Sequence, residues 1–172
     1  GIVVALTMPT LMANYRKKVY SARLKEFYTI MSQAIMQSEE DNGPKEYWDF
    51  SSLESNTGGK FFEKYLSPYI KDFKRVENQF ILANGVTVSL FNGTCLDYHV
   101  DLNGKAKPNV LGRDNYYFTT CFSRKEPIEP YLYSRTMTRA ELLELCKEKK
   151  YFCSDLLLRD NWEYKEDYPF KI

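Results

Sequence analysis

Residues 1–13 (GIVVALTMPTLMA) carry no charge; Arg16, Lys17 and Lys18 then arrive together, followed by Arg23 and Lys25. Beyond Pro9 the apolar positions Met12, Tyr15, Val19, Ala22, Phe27, Ile30, Ala34 and Ile35 recur at helical spacing. This pattern predicts one amphipathic helix from the start of the sequence to about Glu40. Pro9 is expected to kink the helix without ending it. A helix of that length extends about 60 Å, whereas a globule of this size is about 40 Å across. Part of the helix must therefore protrude. The uncharged first third is the natural part to do so, and bare apolar helix in water is costly, so it belongs in lipid or against neighbouring copies. It is too short to cross a bilayer, which takes about 20 apolar residues. Its basic residues follow the apolar run, whereas in a secretory signal peptide they precede it. A buried core helix is the alternative reading of so short an apolar run.

Asp41-Asn42-Gly43-Pro44 reads as a helix stop, with Gly43 as left-handed cap and Pro44 unable to continue the ladder. A polar loop then leads through Thr57-Gly58-Gly59 into a short helix carrying Phe61, Phe62, Tyr65 and Leu66, ended near Pro68. The period next changes to two. Phe80 to Leu82, Asn84-Gly85 and Val86 to Leu90 predict a β-hairpin with a type I′ turn, and further strands follow over Leu96 to Leu102 and Tyr116 to Phe122. Thr138-Arg139-Ala140-Glu141 is a capping box opening a helix with Leu142, Leu143, Leu145 and Cys146, and a last strand is expected over Asp155 to Arg159. The expected class is α+β: a long N-terminal helix packed on a small antiparallel sheet, with short additional helices. The organisation divides into residues 1–42, the helix, and residues 43–172, a globular domain.

With 172 residues the chain can bury a proper core, and 24 basic against 23 acidic residues leave a net charge of +1. That balance provides no overall field for phosphate backbones, so no nucleic-acid partner is expected. The single histidine, His99, disfavours Ser-His-Asp, Cys-His and multi-histidine metal chemistry. Flanked by Tyr98 and Val100 in a strand, it reads as a half-buried packing residue rather than a base. No catalytic residue and no cofactor are predicted. Four cysteines with no CxxC pair make two disulfides the simplest reading, against four buried thiols or a zinc site completed by His99. Cys146 and Cys153 lie seven apart across a helix end, and Cys95 and Cys121 would then join neighbouring strands.

The run GIVVALTMPTLMANYRKKV resembles the second half of the N-terminal segment of type IV pilin-like proteins, with Gly1, Ala5, Pro9 and Tyr15 in the family's Gly, Ala, Pro and Tyr places. The stretches DLNGKAKPNVLGRD and CKEKKYFCSDLLLRDNWEYKEDYP resemble variable domains of prepilin-type proteins of bacterial type II secretion. Together they cover about a third of the sequence. The resemblance implies a truncated pilin or minor pseudopilin, with residues 1–13 the remnant of a transmembrane and filament-core segment and with leader, cleavage point and following glutamate outside this sequence. It implies a bacterial cell envelope protein, single-pass in the inner membrane before assembly, with a periplasmic or cell-surface domain. Its partners would be other copies and related pilin-like subunits, contacted through Ile2, Val3, Val4, Leu6, Met8, Pro9, Leu11 and Met12. By the positive-inside rule Arg16, Lys17 and Lys18 would face the cytoplasm, whereas the family places them in the periplasm, with which an even cysteine count agrees.

Some pseudopilins bind calcium, and Asp101, Asn103, Gly104 and Asp114 begin like a calcium loop. The match fails at Lys105, where an oxygen ligand is wanted, and at Gly112, where a bidentate glutamate is wanted, so an Asx-Gly turn is expected. The resulting expectation is a non-enzymatic filament subunit of a type IV pilus or type II secretion filament. The alternative is an extracytoplasmic module binding glycan or protein through Trp162, Tyr164 and Tyr168, although a C-terminal strand packed on the sheet also accounts for those rings.

Overall fold

A computed structural model describes residues 2–54, 58–76 and 79–172, with side chains from Met8 onward. The fold is α+β, as the sequence predicts. Helix α1 (Ile2–Asn42) runs for 41 residues through Pro9. Its docked stripe is Tyr20, Leu24, Phe27, Met31, Ala34, Ile35 and Ser38, all buried. Phe27, Ala34 and Ile35 were expected on that stripe. Of the other positions the spacing predicts, Met12, Tyr15 and Ala22 are exposed, and Val19 and Ile30 are only partly covered. The stripe follows the i, i+4, i+7 rows through Leu24 and Met31, and Ala22 lies well round the helix from them. At the end, Gly43 takes the left-handed conformation at φ +78°, and its carbonyl accepts the Trp48 indole N–H at 2.8 Å. This closes the helix where the Gly-Pro pair predicts.

After α2 (Gly59–Tyr65) the chain forms an antiparallel meander of six strands in sequence order, β1 (Phe73–Val76), β2 (Gln79–Leu82), β3 (Thr87–Asn92), β4 (Leu96–Asp101), β5 (Asn115–Thr120) and β6 (Glu129–Pro130). The register sets Val88 against Val100 and Val100 against Tyr116, and Leu90 against Tyr98 and Tyr98 against Phe118. Because side chains alternate along a strand, these residues share the inner face. There the Phe27 ring of α1 lies 5.2 Å from Phe118 and 6.1 Å from Tyr98. The opposite face carries Thr87, Ser89, Asp97, His99, Asn115 and Tyr117.

The β2–β3 hairpin falls where predicted, but its turn is not type I′. The Gly85 N–H donates to the Leu82 carbonyl at 2.9 Å, and within the loop only Gly85 has positive φ, at +87°. That is a type I turn closed by a left-handed glycine, the three-residue hairpin loop. The Asn84 side chain stabilises it by accepting the Val86 N–H at 3.0 Å and donating to Glu26 of α1 at 2.8 Å.

The strand expected over Asp155 to Arg159 is instead a helix, α4 (Cys153–Arg159), beside α3 (Arg139–Glu148). Leu156 and Leu157 are buried, and the Cys146–Cys153 disulfide ties the start of α4 to α3, so the apolar run is satisfied by a helical stripe. The capping box at Thr138 and Glu141 is formed as predicted. After α4 there is no C-terminal strand. Asn161 and Trp162 reverse the chain in left-handed conformations, and Trp162 turns back to 5.0 Å from the Tyr28 ring of α1.

Arg139 ties this reversal down, donating to Asp160 at 2.7 Å and to Asp167 at 2.7 Å, while Lys165 reaches Asp160 at 2.8 Å. Burial alone would raise the Asp160 carboxyl, but the hydrogen bonds from Arg139 and Lys165 outweigh it and hold it below the usual carboxylate range. Such a depressed group contributes stability above its unfolded pKa of about 3.9 and loses it as pH falls through the lower folded value. Arg139→Ala is therefore expected to cost about 2 kcal/mol at pH 7, with the gap from the parent protein narrowing only below about pH 4. Urea titrations of both proteins at neutral and acid pH check this.

Candidate functional site

The expected filament helix residues fall in α1. Of Ile2, Val3, Val4 and Leu6 the structure describes the backbone only. Met8, Leu11, Met12 and Tyr15 stand 53%, 61%, 56% and 67% exposed. They sit at i, i+3, i+4 and i+7, a single apolar stripe. At 3.6 residues per turn it is offset by roughly 140° from the docked stripe that begins at Tyr20. The exposed apolar face is thus no continuation of the core face, and the domain's own sheet cannot cover it. Arg16, Lys17 and Lys18 follow at the point where α1 reaches the domain. No helix among the described residues is long and apolar enough to cross a membrane.

Both expected disulfides are present, Cys95–Cys121 and Cys146–Cys153, and they leave no thiol free. Cys95 precedes β4 and Cys121 follows β5, so the first bridge fastens the ends of two paired central strands. With all four sulfurs in disulfides the zinc alternative has no thiolates to use. Among the described residues no cluster of His, Cys, Asp and Glu can hold a metal ion.

The β4–β5 loop is the Asx-Gly turn expected from its sequence. Asp101 accepts the Asn103 N–H at 3.0 Å, and Gly104 takes φ +62°. Asp114, buried beneath the loop, accepts from Asn109 N and Val110 N at 2.8 and 2.6 Å and from the Asn103 and Asn115 amides at 3.2 and 2.9 Å. Four donors occupy this carboxylate, so its role is to organise the loop. The Asn109 side-chain amide lies 3.1 Å from oxygens of Asp101, Gly104 and Ala106, so its NH₂ belongs on that side, where two N–H groups serve the three acceptors.

Trp162, Tyr164 and Tyr168 are buried, and the Tyr116 hydroxyl lies 2.9 Å from that of Tyr164. These rings close the core under α1 and β5 and present no outward platform. The accessible aromatic cluster lies elsewhere, on the outer face of the sheet. Tyr117 of β5 meets Tyr151 at 5.3 Å, and Tyr151 meets Tyr131 at 5.6 Å, between ring centres. His99 lies 4.9 Å from Tyr117 and is half-buried as expected, and burial lowers its pKa below the usual imidazole value despite an opposing hydrogen bond with Asn115. Sequence reasoning missed this cluster because its members come from three distant segments. Period two along β4 and β5 was the one available signal, since it sets His99 and Tyr117 opposite Tyr98 and Phe118.

No curated protein and no solved structure matches the chain. Residues 10–172 match a family of unknown function, DUF6613, and the chain belongs to that family.

Proposed function

We propose that this protein is a non-enzymatic assembly subunit of the pilin or minor pseudopilin kind, polymerising through the first part of α1 while its domain decorates the filament. The observation that carries the reading is the exposed stripe Met8, Leu11, Met12 and Tyr15, set apart from the docked face of the same helix. Fully burying such side chains is worth about 1.5–3 kcal/mol each, a strong drive toward a partner helix or lipid. A second copy of α1 offers the same stripe, and packing helix on helix buries it without any new chemistry. Two disulfides fit an oxidising compartment such as the periplasm or cell surface of a bacterium. In this reading related pilin-like subunits are further partners, and the inner membrane holds the apolar segment before assembly.

Cross-linking in the cells that produce the protein tests the proposal. A ladder of multimers is expected, and Leu11→Asp with Met12→Asp is expected to abolish it. Both positions are exposed, so the thermal midpoint of the variant domain should stay within about 2 °C of the parent. Absence of multimers in the parent protein, or a ladder that survives the double substitution, would overturn the reading.

A further inference from the structure

We infer that the outer face of the sheet is a binding groove for a neutral saccharide. A cavity of about 700 Å³ opens over Gln79, Thr87, His99 and Asn115, bounded on one side by the β4–β5 loop and on the other by Tyr117 and Tyr151. A second hollow of about 470 Å³ shares Tyr117 and Tyr151 and continues to Tyr131 and Leu132. The two adjoin across the strands, and each is within the size range of small-ligand sites.

The chemistry of the trough selects the ligand class. Its floor offers uncharged hydrogen-bonding groups fixed in place: Thr87 and Asn115 are buried, and the Gln79 amide is held by a 3.0 Å bond to the Ser89 hydroxyl. Amides, hydroxyls and a neutral imidazole each donate and accept, as a dense array of sugar hydroxyls requires. The wall offers a cluster of tyrosines with ring planes tilted by 55° and 52° to one another, whose faces suit the C–H side of a sugar ring and whose hydroxyls add polar tips. Among the described lining residues Lys105 is the one cation, against Asp97 and Asp101, which disfavours phosphate and acidic glycans. An extended peptide is disfavoured as well, because the backbone groups of β3 and β4 are already paired on both sides and strand addition needs an edge.

At the rim the chain turns after β6, the Tyr133 N–H donating to the Pro130 carbonyl at 3.1 Å. Leu132 adopts φ +59°, a region a leucine rarely enters, and it remains exposed beside Tyr131.

The test is saturation-transfer NMR on the full chain with maltotetraose, cellotetraose and chitotetraose, alongside a printed array of neutral and acidic glycans. Binding of at least one neutral oligosaccharide is expected. Tyr151→Ala, at an exposed position, should weaken it about tenfold, the loss that one aromatic contact gives. The Leu11→Asp, Met12→Asp protein should bind as the parent does, which separates this inference from the filament reading. No neutral glycan bound, a preference for acidic glycans, or binding that survives both Tyr151→Ala and Tyr131→Ala would overturn it.

Discussion

Reduction of both disulfides is expected to lower the unfolding free energy by about 6 kcal/mol, enough to leave the domain close to unfolding at room temperature. The chain-entropy account gives about 3.5 kcal/mol for Cys95–Cys121, whose sequence separation is 26, and about 2.5 kcal/mol for Cys146–Cys153, whose separation is 7. The two act in different places. Cys95–Cys121 clamps β4 to β5, whose inner faces receive Phe27, so its loss loosens the sheet beneath the long helix. Cys146–Cys153 joins α3 to α4, and both its cysteines are buried, so its loss frees the helical corner that carries Leu156 and Leu157. Paired alanine substitutions separate the contributions in urea titrations, and the Cys95→Ala, Cys121→Ala protein should show the larger fall. A total loss under about 2 kcal/mol on reduction would mean that the aromatic core holds the domain without them.

The long helix was legible because its signals agree: apolar residues at helical spacing, a Gly-Pro stop and a length no globule can enclose. The capping box was legible because Thr138 and Glu141 satisfy each other's backbone within one turn. The place of the β2–β3 hairpin was readable from Asn84-Gly85, but its turn type was not, since the Asn84 side chain is engaged by Val86 and by Glu26 of a distant helix. Alpha-helix α4 was misread because a short apolar run is ambiguous by periodicity alone. What decides it is a tertiary fact, the disulfide that sets Cys153 beside α3. Edge strands β1 and β6 gave little signal, since Lys74, Arg75 and Val76 are exposed and β6 has only two residues. Of the candidate surfaces, the protruding stripe was visible as local pattern. The tyrosine trough was not, because β5, the turn after β6 and the segment between α3 and α4 converge there only in the fold.

Phe27→Ala is expected to cost about 4 kcal/mol and to lower the thermal midpoint by about 8–16 °C. Phe27 is wholly buried at the centre of the docked stripe, between Leu24 and Met31, and its ring meets Tyr98 and Phe118 on the two central strands. Removing it opens a cavity where helix and sheet share their core, and neighbours so large and so tightly held cannot close it. Met12→Ala, two turns beyond the first docked residue and exposed, should change stability by no more than about 0.5 kcal/mol. The pair assigns separate duties to two stretches of one helix. Residues 20–38 hold the domain together, and the stripe from Met8 to Tyr15 is exposed and takes no part in that packing. Differential scanning calorimetry of both variants, run beside the cross-linking assay, reads the two duties independently: Phe27→Ala should move the midpoint, whereas Leu11→Asp with Met12→Asp should move only the multimers. A destabilisation below about 1.5 kcal/mol for Phe27→Ala would mean that α1 is attached mainly through its polar contacts, such as those of Arg23 with Leu102 and Glu26 with Asn84.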